Sequence, residues 1–440
     1  MSCARATCAF NGGMEMINTG SFELKDYVYD MRRCMRCASC KWIDHTYMAD
    51  NRFVYRCPSY GKYYFSKVAY GRLKLGLALA ENRLDDTPGM TDMVFQCLMC
   101  GACDSGCKRN LDLEIGSSLE ALRHYMVERG TYPKAHDKVI QNIAKRHNKF
   151  GAPVKERTGW VSNGRKRKAE TVYFVGCNAS YVQTGIASST EKILNALGGY
   201  MLLPAEWCCG HPLFAMGHYD AFEKQMAHNF EAMKKTGAKQ LVTSCAECYK
   251  TWKVDYPRMM NMSTTQLPFE VLHITELVAS GLKRGELKLP GKLDLKVAWH
   301  DPCNLGRMSE PYIHWEGTRG QWGCLIPEKG FVSKEFRRGT EGVYEEPRDV
   351  LSHIAGLDFV ELTRHHEFSW CCGGHGGVPE AYPEMTAYAV SERLEEVKRS
   401  GAEAVVSACP YCKETFEAGV KDGGYQAQVF DITEIIAQAL

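Results

Sequence analysis

The sequence predicts a mixed fold, α+β and α/β in class: a helical N-terminal domain followed by two copies of one α/β module. Two observations carry this. Five cysteines recur in one order, first as Cys177, Cys208-Cys209 and Cys245/Cys248, then as Cys303, Cys371-Cys372 and Cys409/Cys412. Around each set, short apolar runs such as VYFVG and KQLVTS alternate with amphipathic stretches, the pattern of a mostly parallel sheet covered by helices. The chain before them has helical periodicity and two tight cysteine groups instead.

The vicinal pairs sit in matching frames, Trp207-Cys208-Cys209-Gly210-His211 and Trp370-Cys371-Cys372-Gly373-Gly374-His375. A C-x-x-C follows each pair after 35 and 36 residues. Gly237-Ala238 and Gly401-Ala402 both precede it by eight positions, at an offset of 164. Met226, Phe230 and Met233 align with Val390, Leu394 and Val397, an i, i+4, i+7 stripe for one buried helix face. Each of those helices runs to a glycine, the usual residue just past a helix end. Ile274-Thr275-Glu276-Leu277 and Ile432-Thr433-Glu434-Ile435 close the two copies. Repeated sequence at a fixed period means repeated structure.

A length of 440 residues suits about three domains. With 54 basic and 52 acidic residues the formal charge is +2, so charge gives no reason to expect nucleic acid or a membrane surface as partner. No stretch approaches the ~18 uninterrupted apolar residues of a membrane span. The N-terminus lacks the basic-then-apolar pattern of an export signal, and a soluble cytoplasmic protein is expected. Of 21 cysteines, 18 fall into regular groups. Without export a disulfide framework is out of place, whereas the spacings are those of metal ligands. A reducing, anaerobic cytoplasm fits this usage.

Residues 1–30 read as an N-terminal extension in which Cys3 and Cys8 are free thiols of a docking or frayed segment. Residues 31–150 hold Cys34-x2-Cys37-x2-Cys40, then sixteen residues, then Cys57-Pro58, and later Cys97-x2-Cys100-x2-Cys103-x3-Cys107. The C-x2-C-x2-C-x3-C run is a cubane [4Fe–4S] signature, and in two-cluster proteins the fourth ligand comes from the partner motif. One cubane is therefore assigned to Cys34, Cys37, Cys40 and Cys107, the other to Cys97, Cys100, Cys103 and Cys57. Zinc sites close with paired C-x-x-C, so triplets with a distant fourth cysteine argue for iron–sulfur clusters. Two departures stand out: a sixteen-residue loop precedes Cys57, and Lys108 follows Cys107 where proline is usual. Neither removes a ligand. Ile115, Leu119, Leu122 and Met126 form one helical stripe, Val139, Ile140 and Ile143 another, and YYFSKVAYGRLKLGLALAEN reads as a helix between the motifs. This is the pattern of a helical ferredoxin-like domain.

Residues 151–170 read as a linker whose basic run, Arg165-Lys166-Arg167-Lys168, is a solvated surface sooner than a recognition patch. Residues 171–290 and 291–440 are the two modules. In parallel sheets ligands bind beyond the carboxyl ends of the strands, and the lone cysteines and C-x-x-C pairs all follow predicted strands. That gathers five thiolates at one edge of each sheet, too many for a cubane or a zinc site. The surplus points to a distorted cluster with a bridging thiolate, set against the alternative of buried free cysteines. Gly210, Gly373 and Gly374 permit close backbone approach to a cofactor. Trp207 and Trp370 either wall off the site or fill the core; His211 and His375 either donate hydrogen bonds or protons near metal or are structural. No G-x-G-x-x-G follows a strand, so neither flavin nor nicotinamide is expected in this chain.

The modules differ in one gap. Thirty residues separate Cys177 from Cys208, but 67 separate Cys303 from Cys371, and the helix signal of Ile193, Leu194 and Leu197 resumes only at Val350, Leu351 and Ile354. Most of the extra length is an insertion, residues 307–346, in which Tyr312, Trp315, Trp322, Leu325 and Phe331 are too many large apolar groups for disorder. It is expected to fold as a lid or partner-docking surface beside Cys303, with Cys324 an ordinary thiol.

From about residue 30 to 440, these motifs resemble the CCG-domain iron–sulfur oxidoreductases, and a two-cubane domain fused to two five-cysteine modules is similar to the D-type catalytic subunit of heterodisulfide reductase. The resemblance implies two noncubane [4Fe–4S] clusters facing each other across the module interface and splitting a disulfide, one sulfur to each. Relatives often lack cysteines in one module; both sets here are complete, which favours a catalytic site. It also implies a flavin-containing electron-transfer subunit or a membrane cytochrome b-type subunit as partner, a small-molecule disulfide as substrate, and attachment to the inner membrane face only through a partner. The competing implication is a non-catalytic relay between a flavoprotein dehydrogenase and a membrane cytochrome or quinone complex.

Overall fold

The computed structural model describes residues 15–18, 20–44, 47–48, 50–85, 87–108, 111, 113–162, 165–319 and 334–440. Cys3, Cys8, Trp322, Cys324, Leu325 and Phe331 lie outside them. The first described element is a short strand, β1 (Glu15–Asn18), and the described residues are then mainly helical up to the first module. Within the stretch expected as an extension, Leu24 and Tyr27 pack with Met31, Leu73 and Leu122 in the core of the helical domain. Apolar burial, not the cysteine motifs, sets where that domain begins.

The run expected as a helix, residues 63–82, is helical only over Ala69–Ala80, and Tyr63 ends the preceding helix, Pro58–Tyr63. Tyr64 interrupts it at φ +58°, and Phe65 then turns its ring onto the Lys41 ammonium, 4.2 Å from the centroid. The stripe of Ile115, Leu119, Leu122 and Met126 is buried on the helix Ile115–Glu128. Val139 and Ile143 are buried on Asp137–Arg146.

Both modules have the same sheet. In the first, β2 (Thr171–Tyr173) lies between β3 (Met201–Leu202) and β4 (Gln240–Thr243), with β5 (Glu270–His273) beyond β4, all parallel. In the second, β6 (Lys292–Trp299) lies between β8 (Ala355–Glu361) and β9 (Ala404–Ser407), with β10 (Gln428–Asp431) beyond β9, again all parallel. Each sheet thus has the order 2-1-3-4, which leaves a crevice where successive connections diverge. β7 (Glu316–Arg319), from the insertion, joins neither sheet and pairs antiparallel with β1.

The aligned helices are Tyr219–Thr236 and Pro383–Ser400, ending at Gly237 and Gly401 with φ of +65° and +68°. The matching tails are capping boxes, His273 with Glu276 and Asp431 with Glu434. Each box satisfies two backbone donors that a helix start leaves open. The last helix of each module packs on the first long helix of the other: Ile432–Ala439 on Thr184–Ala196, and Ile274–Lys283 on Glu345–Ser352. These reciprocal contacts form a pseudo-twofold arrangement, which faces the two crevices toward each other. No helix among the described residues is long and apolar enough to cross a membrane.

The residues expected as a linker dock on the first module, where Arg157 pairs with Glu206 at 2.6 Å; Arg165 to Lys168 are exposed. Arg258 of the first module donates to Ser21 O at 3.1 Å and pairs with Glu120. The second module is tied on by Arg364, donating to Tyr55 O at 2.9 Å, and by Tyr382, donating to Asp92 at 2.9 Å. At the junction of all three domains lies Arg123, 1% exposed. It donates to the carbonyl oxygens of Phe95 and Cys97, of Ala215 in the first module, and of Gly376 in the second. Burial lowers its pKa to about 10 despite the neighbouring Cys97 thiol, so it stays charged at neutral pH. Arg123→Leu should remove these donors and strand four buried acceptors. With charged hydrogen bonds contributing roughly 1.5–3 kcal/mol each, the expected loss is at least about 3 kcal/mol in a urea melt of the metal-free protein.

Candidate metal centres

The first two thiol groups owe their shape to unusual backbone turns. In Cys34–Cys40 the residues on either side of the central cysteine, Arg36 and Ala38, have φ of +58° and +80°. In Cys97–Cys103 the equivalent residues, Met99 and Gly101, have φ of +50° and +69°. Left-handed conformations are costly for residues other than glycine and persist only where the surroundings demand them. Two such turns per loop coil each triplet so that its thiols converge.

The fourth cysteine of each motif lies against the other triplet. The Cys107 thiol feels Cys37, while Cys57 feels Cys100 and Cys97. Arg56 holds the two loops together, donating to Trp42 O at 3.4 Å and Ala102 O at 3.1 Å. Burial pushes the Cys40 thiol up to about 11 and Cys57 to about 12. Both are protonated at neutral pH without metal. Since metal binds the thiolate, iron loading must release protons and weaken as the pH falls.

In each module the five cysteines meet at the carboxyl ends of the strands. Cys177 contacts Cys208, and Cys209 Sγ lies 3.5 Å from Cys248 Sγ. Cys303 contacts Cys371, and Cys372 Sγ lies 3.3 Å from Cys412 Sγ. All ten are buried. Two contacts leave the module. Cys245 meets Cys409 across the pseudo-twofold interface, and Cys371 meets Cys100 of the helical domain. The four thiol groups therefore form one connected series.

The glycines expected to allow close backbone approach, Gly210, Gly373 and Gly374, lie at turns with their N–H groups on cysteine sulfurs. Gly210 and Gly373 have φ of +89° and +95°, and an added Cβ would strike Phe222 in the first case and the helix backbone at Thr386 in the second. They serve turn geometry and helix packing. Their N–H groups donate to Cys208 Sγ and Cys371 Sγ, each at 3.4 Å. Trp207 is sandwiched between the rings of His147 and His228, each 3.7 Å away; Trp370 is a core residue under the Arg364 guanidinium.

The two histidines have different surroundings. His375 Nε2 is 3.2 Å from Cys303 Sγ. Burial lowers its pKa, but Cys303 and Glu247 outweigh burial and hold it up at about 10. His211 has no such thiol and lies 4.0 Å from both Glu247 and Asp255, and burial takes its pKa well below the usual range. Glu247 sits between the two rings, which are 6.0 Å apart. Sequence spacing carries no signal for Glu247, Arg123 or Arg307.

All eighteen clustered cysteines are free thiols. The donor set is almost purely thiolate and largely shielded from water, which fits iron–sulfur chemistry. A cysteine-rich domain family (CCG) matches residues 171–253 and 323–417, and a 4Fe-4S dicluster domain family matches residues 30–111. Over 93% of its length the chain is 32% identical to the D subunit of the dihydromethanophenazine:CoB–CoM heterodisulfide reductase of Methanosarcina mazei, covering 94% of that protein. The chain belongs to the heterodisulfide reductase D-subunit family of CCG-domain iron–sulfur oxidoreductases. The corresponding D subunit of Methanosarcina acetivorans is 33% identical over the same shares. The wider kinship includes the B subunit of the fumarate reductase (CoM/CoB) of Methanothermobacter marburgensis, 26% identical over 93% of this chain and 72% of that one.

The crossed ligation expected from the cysteine spacing can be tested directly. Cys107→Ala should abolish the EPR signal of the Cys34 cluster and spare that of its own motif. Loss confined to the Cys97 group would overturn the assignment.

Proposed function

We propose that the chain is the heterodisulfide reductase-like subunit of a larger complex, with single electrons passing through the helical domain to a disulfide site between the modules. Cys34, Cys37, Cys40 and Cys107 would hold one cubane, and Cys97, Cys100, Cys103 and Cys57 the second. Cys177, Cys208, Cys209, Cys245 and Cys248 would hold one noncubane cluster; Cys303, Cys371, Cys372, Cys409 and Cys412 would hold the other. The observation that carries this reading is the contact of Cys245 with Cys409, which brings two complete five-thiol sets face to face.

Reduction of a disulfide consumes two electrons and two protons, RSSR′ + 2e⁻ + 2H⁺ → RSH + R′SH. When bound, the paired clusters supply one electron each, which reconciles one-electron delivery with two-electron chemistry. The chain's own residues shape the remainder of the site. Cys245, Cys409 and Tyr411 line the interface, and all are buried. His211, Glu247 and His375 add a buried polar group with ligand atoms within 4.8 Å of one another. Lys149 pairs with Glu380 at 2.8 Å beside the same interface and feels Glu247. Such groups orient a polar substrate and hold protons near its sulfurs.

Electrons enter from, or leave to, a partner at the Cys34 edge. Cys37 is exposed, and Met35, Tyr64 and Phe65 stand 67%, 67% and 50% exposed nearby. A flavin-containing electron-transfer subunit or a membrane cytochrome b-type subunit fits that role. The relay reading shares these cofactors and differs only in lacking turnover at the paired site.

Iron and acid-labile sulfide analysis of the anaerobically reconstituted chain should give about sixteen of each, from four clusters of four irons. Saturation near eight would exclude the modules as cluster sites. Cys208→Ala and Cys371→Ala should each abolish disulfide turnover while leaving both cubanes reducible by dithionite. Full activity in either variant would sink the two-cluster mechanism, and no disulfide turnover by the unaltered reconstituted chain would favour the relay.

A further inference from the structure

Arg307 stands four residues after Cys303, where the first module has Tyr181 after Cys177. Its side chain is 6% exposed. Nε donates to Cys100 O at 2.7 Å, and Nη1 donates to Ser369 O and, at 3.3 Å, Glu367 O. It therefore joins the Cys97–Cys103 loop to the turn leading into Cys371-Cys372. Nη2 is buried with no hydrogen-bond partner. Among the described residues no carboxylate forms an ion pair with this guanidinium. A buried charge without a counter-charge is costly. Burial alone would lower the Arg307 pKa, yet Cys100, Cys303, Tyr344 and Cys371 hold it above its ordinary value. Three of those four groups are cysteines of two different thiol sets, and the Cys100 and Cys371 thiols influence each other.

The first module handles its arginine otherwise. Arg157 feels Cys177 and Cys208, but it is neutralised by Glu206 at 2.6 Å. Glu206 is itself fixed by the N–H groups of Val175 and Gly176, each at 3.0 Å. The imidazole contact is also one-sided, since only the second module has a histidine on its lone cysteine. Net charge and hydrogen bonds to sulfur are what set the reduction potential of a thiolate-held cluster.

We infer that Arg307 is a positioning and tuning residue whose unneutralised charge, lodged between the Cys97 motif and the second module, raises the potentials at both. The duplicated sites are thereby unequal, and the second module is the port through which the paired site exchanges electrons with the helical domain. The exchange moves one electron from one thiolate-held cluster to the other, with no bond made or broken and no proton transferred. This inference rests on the ligation proposed above, which iron analysis of the unaltered chain tests separately.

EPR-monitored redox titration of the full iron-loaded chain decides it, with signals assigned by Cys107→Ala and Cys371→Ala. Arg307→Gln should lower the potentials of the Cys97-motif and second-module clusters. The expected size is a tenfold or larger fall in the reduced-to-oxidised ratio at fixed potential, ~59 mV for a one-electron couple. The other two clusters should not move. Arg307→Lys, which keeps the charge but loses the fork of donors, should restore most of the shift. Four unmoved potentials in Arg307→Gln, or equal shifts in the Gln and Lys variants, would overturn the role of charge. Should Arg307→Gln fail to retain iron, Glu206→Gln settles the matter by exposing Arg157. The first-module potential should then rise by a comparable ratio, and no rise would defeat the inference.

Discussion

The Arg123 guanidinium is buried where the helical domain meets both modules, and its hydrogen bonds end on carbonyl oxygens from all three. Those carbonyls belong to Cys97, the first cysteine of a motif, to Ala215, near the first vicinal pair, and to Gly376, just after the second. A chain of clusters exchanges electrons only if its members are held close together, and this desolvated cation ties three of the thiol-bearing segments to one point. Arg258 and Arg364 extend the same device to the flanks, each carrying a hydrogen bond or ion pair between domains.

Duplication has produced symmetry in the frame and asymmetry in the charges. Sheet order, capping boxes, helix ends and the turns at Gly210 and Gly373 are the same in both copies. The charges beside the cysteines are not. One copy pairs its arginine with a carboxylate, and the other leaves it facing thiols; one copy turns a histidine onto sulfur, and the other turns it onto carboxylates. Geometry is shared because both crevices must face one interface. The divergence lies beside the one cross-domain thiol pair described, Cys371 of the second module with Cys100 of the helical domain.

The insertion after Arg307 fits this division. Its described ends do not simply cover the second crevice. Tyr312 exchanges hydrogen bonds with Thr264 of the first module, Lys334 pairs with Glu114 of the helical domain at 2.6 Å, and β7 pairs with β1. It binds the second module to its neighbours on the side where Cys100 and Cys371 meet.

The sequence by itself determined what kind of chain this is. Cysteine spacing reveals the clusters because thiolate ligation requires local loops, and the repeat is legible because each copy must bury the same helix face. Val390, Leu394 and Val397 do so just as Met226 and Met233 do. Residues 63–82 read as a helix from their first residue, whereas the helix starts only at Ala69, because the break at Tyr64 goes with the packing of Phe65 on Lys41 and leaves no mark on periodicity. The same limit applies to Arg123, Arg307 and Glu247, whose partners are distant in sequence. Which thiols of different sets touch, and which buried charges lack a counter-charge, depends on how the three domains dock. Only the tertiary structure decided those contacts, because desolvation and Coulomb interaction act through space and not along the chain.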